Sequence, residues 1–82
     1  MSDTDMTAPK TPLEGLPRNH LMFLNLRDGG GTPASRGATV AEFYGISVEE
    51  LKANCIKAGD ELIAERGSLL VYEQPVYDWA KS

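Results

Sequence analysis

The chain has one cysteine and one histidine among its 82 residues, and the scarcity of both removes whole classes of chemistry. With Cys55 alone no intramolecular disulfide can form, and a lone thiol beside a lone imidazole, His20, is not a zinc set. A single cysteine fits a reducing, cytoplasmic setting. Long hydrophobic runs are missing too: the longest apolar stretches, LMFL and SLLVY, fall far short of the ~20 residues that a membrane span needs. The opening MSDTDMTAPKTPLEGLPRNH has neither a basic start nor an uninterrupted apolar run, so no secretory signal is expected. Basic clusters are absent as well. Arg18, Arg27, Arg36, Lys52, Lys57 and Arg66 are dispersed, and a net charge of −4 disfavours a broad phosphate-binding surface.

What is present is an ordinary globular composition, 41% hydrophobic and 24% charged, which is enough apolar surface to fold. A chain of this length makes one domain at most and buries only about 60% of the surface it exposes when unfolded. Small cores of this kind are commonly reinforced by a disulfide, a metal or a second subunit. The first two are unavailable here, which leaves the third.

Residues 1–17 carry Pro9, Pro12, Gly15 and Pro17 without apolar periodicity and read as a flexible arm, with Leu13 and Leu16 alone suited to pin it to the body. Residues 18–82 read as a single α+β domain. HLMFLNLR is apolar almost throughout and suits a short covered strand near 20–26, although Leu and Met also favour helix and no β-branched residue is present. DGGGTPASRG, with four glycines and a proline, predicts a loop over 28–37. Thr39 and Glu42 stand at capping-box spacing and predict a short helix near 40–44, ended by Gly45. Ser47 and Glu50 repeat the device, so a second helix starts at Ser47.

How far that helix runs decides the fold. Continued to Arg66, it places Val48, Leu51, Cys55, Ala58 and Leu62 on one side, and Glu49, Glu50, Lys57, Glu61 and Glu65 on the other. The cost is Gly59, about 1 kcal/mol relative to alanine, which the burial of Leu62 and Ile63 outweighs at about 1.5–3 kcal/mol each. The alternative ends the helix at Ala58 and builds a C-terminal β-hairpin from ELIAE and SLLVYE. Its turn, Arg66-Gly67, lacks the Asn-Gly or Asp-Gly that tight hairpins want. After Gly67, SLLVYEQ predicts a strand over 68–74 closed by Pro75, and PVYDWAKS a tail apolar enough to dock. The expected architecture is therefore a short antiparallel sheet covered by one long amphipathic helix. Two strands leave unpaired edges, which argues for a homodimer or a partner protein.

No catalytic, metal or cofactor constellation is legible. Neighbouring carboxylates on a helix point about 100° apart, so neither Glu49-Glu50 nor Asp60-Glu61 forms a site by itself. The glycine-rich loop has neither the Walker lysine-hydroxyl pair nor the dinucleotide spacing.

TVAEFYGISVEELKANC resembles a helix-turn-helix, with Ala41 and Gly45 at the four-residue spacing, Gly45-Ile46-Ser47 as the turn and Leu51 packing inward. It is equally similar to the two-helix part of peptidoglycan-binding LysM modules, whose closing strand IKAGDELI resembles. IKAGDEL with LLVYEQP resembles swapped-hairpin antitoxin DNA-binding domains. The first of these implies a nucleic-acid-binding regulator using residues 39–55, but Glu49 and Glu50 would then face phosphates, which repel them. The reading preferred from the residues is a non-enzymatic protein-protein interaction module, a small regulator or inhibitor, without cofactor or metal. Its candidate partner-binding residues are Tyr72, Tyr77 and Trp79, since aromatic side chains are common interface anchors.

Overall fold

A computed structural model describes residues 17–82, and these form four helices in succession: α1 (Arg18–Asp28), α2 (Pro33–Tyr44), α3 (Val48–Arg66) and α4 (Gln74–Lys81). Among the described residues there is no strand, so the expected α+β fold is corrected to an all-helical domain. The expected arm falls outside the described residues except for Pro17, which occupies the N-cap position of α1.

The segment read as the first strand, 20–26, lies inside α1. Its adjacent apolar residues mimic a covered strand because the helix is shielded on more than one side: Met22, Phe23 and Leu26 are buried, while Leu21 and Leu24 are half-buried. Its residues favour helix intrinsically, and the packing agrees with them. The predicted loop also shrinks, because α2 starts well before Thr39. Thr32 is the N-cap: its hydroxyl accepts the Ser35 amide at 3.1 Å, and the Ser35 hydroxyl accepts the Thr32 amide at 3.1 Å. Pro33 follows at the first helical position, where its missing N–H costs nothing.

Gly45 ends α2 in the left-handed region at φ 72. Its N–H bonds the Glu42 carbonyl at 3.1 Å, and the Ile46 N–H bonds that of Ala41 at 3.0 Å, the paired closure that satisfies a helix C-terminus. Ser47 then caps α3 by accepting the Glu50 amide at 3.0 Å.

α3 runs unbroken past Gly59 to Arg66, burying Leu51, Cys55, Ala58 and Gly59 at helical spacing. Residues 60–65 are helical, so the hairpin alternative does not form. The second predicted strand is also absent: residues 68–73 are an irregular turn, and Pro75 lies in the first turn of α4 instead of closing a strand. With no sheet among the described residues, the argument for a dimer from unpaired edges no longer stands.

One core joins all four helices through Phe23 and Met22 of α1, Val40 of α2, Leu51 and Cys55 of α3, and Val76 of α4. The short α4 is seated by two aromatic-on-glycine contacts. A Cβ at Gly59 would stand 2.3 Å from Tyr77 Cδ1, and one at Gly37 would stand 2.5 Å from Trp79 Cζ2. Both rings rest on bare helix backbone. That explains why a residue unfavourable in helix interiors is found in the middle of α3.

Candidate functional site

The polar centre of the molecule is Glu73, whose side chain is 1% exposed at the start of α4. An isolated buried carboxylate is expensive, so its partners decide whether it is tolerated. Three converge on it. The Leu70 amide donates to Oε1 at 2.9 Å, Arg66 donates to the same oxygen, and Arg27 Nη1 donates to Oε2 at 2.9 Å. Burial alone would push this carboxyl upward; the Leu70 amide, Arg66 and Arg27 together hold it below the ordinary glutamate range. Arg27 also grips Asp28 through Nε at 2.7 Å and Nη2 at 2.9 Å, and Asp28 foremost, then Glu73, raise its affinity for the proton. The Asp28 carboxyl is held low in return.

This clasp fixes the turn above it. The Glu73 and Gln74 amides both return to the Leu70 carbonyl, at 2.9 and 3.1 Å. Leu70, Val71 and Tyr72 are thereby held outward, 41, 87 and 55% exposed. The Arg27 guanidinium lies 5.4 Å from the centre of the Tyr72 ring, a cation-π contact that braces the ring against α1. A restrained turn thus presents three consecutive large apolar side chains.

The three sequence-predicted residues are not brought together on one surface of this kind. Tyr72 is on the exposed turn, whereas Tyr77 and Trp79 are half-buried along α4. The Tyr77 hydroxyl donates to Asp60, which raises its pKa above the usual phenol value, and Lys81 lies 4.9 Å from its ring centre. Lys52 lies 5.4 Å from that of Trp79. Sequence reasoning missed Leu70 and Val71, which read as strand, and missed Glu73 altogether. The available signal was Gly67 and Pro75 bracketing the segment as a helix end and a helix start.

A second polar group links α1 and α3. Glu61 Oε1 accepts from Asn19 at 3.1 Å and pairs with His20 Nε2 at 2.7 Å; the Asn19 and His20 bonds hold its carboxyl low. Among the described residues His20 hydrogen-bonds to no hydroxyl or thiol. Cys55 is fully buried, and burial pushes its thiol up to about 12, the opposite of an activated nucleophile.

Two surface hollows flank Leu24. One of about 400 Å³ runs between α1 and α3 over Phe23, Leu24 and Leu62, and the other, of about 380 Å³, is bordered by Leu21 and Tyr44. Among the described residues no group of three or more His, Cys, Asp or Glu side chains is placed to hold a metal ion. Nor is any helix there long and apolar enough to cross a membrane. No protein-family model matches the chain, and comparison with curated proteins and with solved structures finds no match either.

Proposed function

We propose that the protein is a non-enzymatic interaction module, a small regulator or inhibitor, that docks on a partner protein or a second copy of itself through the turn Leu70-Val71-Tyr72. The observation that carries this reading is a Val71 side chain left 87% exposed on a turn whose backbone is fixed from beneath by a buried carboxylate. Binding through a flexible loop loses much of its gain to ordering; a turn already bonded in place avoids most of that cost. Tyr72 supplies an aromatic anchor of the kind that dominates interface energetics. Tyr77 and Trp79 support the turn indirectly by seating α4 on Gly59 and Gly37.

The test compares wild type with Val71→Asp and Tyr72→Ala in affinity capture from cell lysate, with sedimentation velocity reporting self-association. Loss of a captured protein or of the dimer, at unchanged helical circular dichroism, supports docking through the turn. For an anchor residue the expected loss is about 2 kcal/mol, roughly thirtyfold in affinity. Binding retained by both variants removes the proposal. A second reading, nucleic-acid binding through residues 39–55, draws on the helix, three-residue turn and helix made by α2, Gly45-Ile46-Ser47 and α3. Exposed Glu49 and Glu50 at the start of α3 weigh against it. A salt-dependent mobility shift with duplex DNA would favour it.

A further inference from the structure

We infer that two copies of the chain pair through the outer face of α1, the two helices lying antiparallel across a two-fold axis that passes between Leu21 and Leu24. This rests on α1 and its two flanks, independently of the docking turn.

α1 packs against α2, α3 and α4, and one stripe of it is left over. Pro17, Leu21, Leu24 and Asp28 recur at intervals of four, three and four residues, the spacing of a helix-helix seam, and none of them is buried. The two hollows beside Leu24 continue the stripe sideways, one toward Tyr44 and the other toward Leu62. Phe43, 76% exposed, stands edge-on to Tyr44 with 5.1 Å between ring centres and widens the patch. A ridge with a hollow on each side fits a second ridge of the same shape.

The charges at the four corners argue that this second ridge is another copy of α1. At the start of the helix, Arg18 bonds the Tyr44 carbonyl at 2.7 Å on the α2 flank, while Glu61 bonds Asn19 and His20 on the α3 flank. At its end the signs are exchanged. Asp28, its side chain 60% exposed, borders the α2-side hollow, and Arg66, 35% exposed, joins Arg27 at Glu73 on the α3 flank. A two-fold axis across α1 carries start onto end and keeps each flank on its own side, so Arg18 meets Asp28 of the second copy and Glu61 meets its Arg66, each pair twice. Parallel helices would match these signs as well, but with like helix ends side by side. The antiparallel pair sets each positive amino end beside a negative carboxyl end. With 11 residues at ~1.5 Å each the seam is short, which places the contact at the small end of specific interfaces and the dissociation constant in roughly the micromolar range.

The experiment is sedimentation equilibrium of the full chain from about 1 µM to about 1 mM, with circular dichroism reporting the fold. Wild type is expected to pass from the 8.9 kDa monomer to a dimer across this range. Leu24→Glu sets a charge in the seam and should weaken association about a hundredfold. Arg18→Glu alters an exposed residue and should weaken it roughly tenfold with the helices intact. Adding Asp28→Arg to Arg18→Glu remakes unlike pairs across the antiparallel seam and should recover the wild-type constant; in a parallel pair the added arginine would face Arg66 and weaken association further. Val71→Asp on the docking turn should leave the constant unchanged. If Leu24→Glu unfolds the chain, the two charge variants decide alone. A chain that stays monomeric throughout, a dimer that tolerates a folded Leu24→Glu, an Arg18→Glu defect that is missing or is not recovered by Asp28→Arg, or a dimer lost with Val71→Asp overturns the inference.

Discussion

Replacing Gly59 with alanine sets two opposed effects against each other at one position. Alanine is favoured over glycine within a helix by about 1 kcal/mol, so on propensity alone the substitution stabilises α3. The added Cβ, however, would stand 2.3 Å from Tyr77 Cδ1, 2.8 Å from Cε1 and 3.3 Å from Cγ. Cγ and Cδ1 belong to the root of the ring, so the clash is not relieved by moving a flexible tip; the ring must swing or α4 must lift. Overpacking of this kind costs about 1–3 kcal/mol, and displacement of the ring also loosens the bond from the Tyr77 hydroxyl to Asp60. The expected net is a destabilisation of about 1–2 kcal/mol, or roughly 4–16 °C in Tm for a domain this small. In a Tyr77→Ala background the obstacle is gone, and the same Gly59→Ala change should stabilise by about 1 kcal/mol. The coupling is then about 2–3 kcal/mol, well above the additivity expected of independent sites. Urea unfolding of the four proteins, followed by circular dichroism, measures it. A Gly59→Ala chain more stable than wild type, or the same change in both backgrounds, would refute the proposed seat for Tyr77.

Other outcomes follow from the buried groups. Glu73→Ala strands Arg66, leaves the Leu70 amide without its partner and keeps Arg27 only on Asp28; since both arginines are partly solvated, the expected loss is about 2–4 kcal/mol in urea unfolding. Because the folded Glu73 carboxyl titrates below its unfolded value of about 4.3, its contribution is complete above that pH and is lost as pH falls toward the folded value. Acid titration by circular dichroism should therefore show destabilisation below about pH 4 that Glu73→Gln diminishes. Cys55 should resist a thiol reagent in the native protein and react at a rate set by global opening, so that added urea accelerates labelling in step with unfolding.

The parts legible in the sequence were those governed by local rules. Ser47, Gly45 and Gly67 act through backbone amides and φ angles within a few residues, and the stripe from Leu51 to Ala58 is wide enough to identify a helix by itself. α1 was not legible because its adjacent apolar residues blur the 3.6-residue period; which of them face inward depends on neighbours that arrive later in the chain. α2 was obscured by the preceding glycines, which drew Thr32 and Pro33 into a loop, although that pair has the chemistry of a helix start. α4 was lost to the β-propensity of Val71 and Tyr72, residues that tertiary structure leaves outside any regular element. Glu73 could not be found locally, since Arg27 is 46 positions away and nothing in SLLVYEQ marks its one carboxylate as the buried one.

The convergence on Glu73 has a consequence for how the molecule comes apart. Its donors belong to the last turn of α1, the last turn of α3 and the connector into α4, so fraying at any one of them leaves charge or an amide bare at the others. Helix ends ordinarily peel first and independently. Here three ends share a single latch, and the connector and α4 should release only together with the rest.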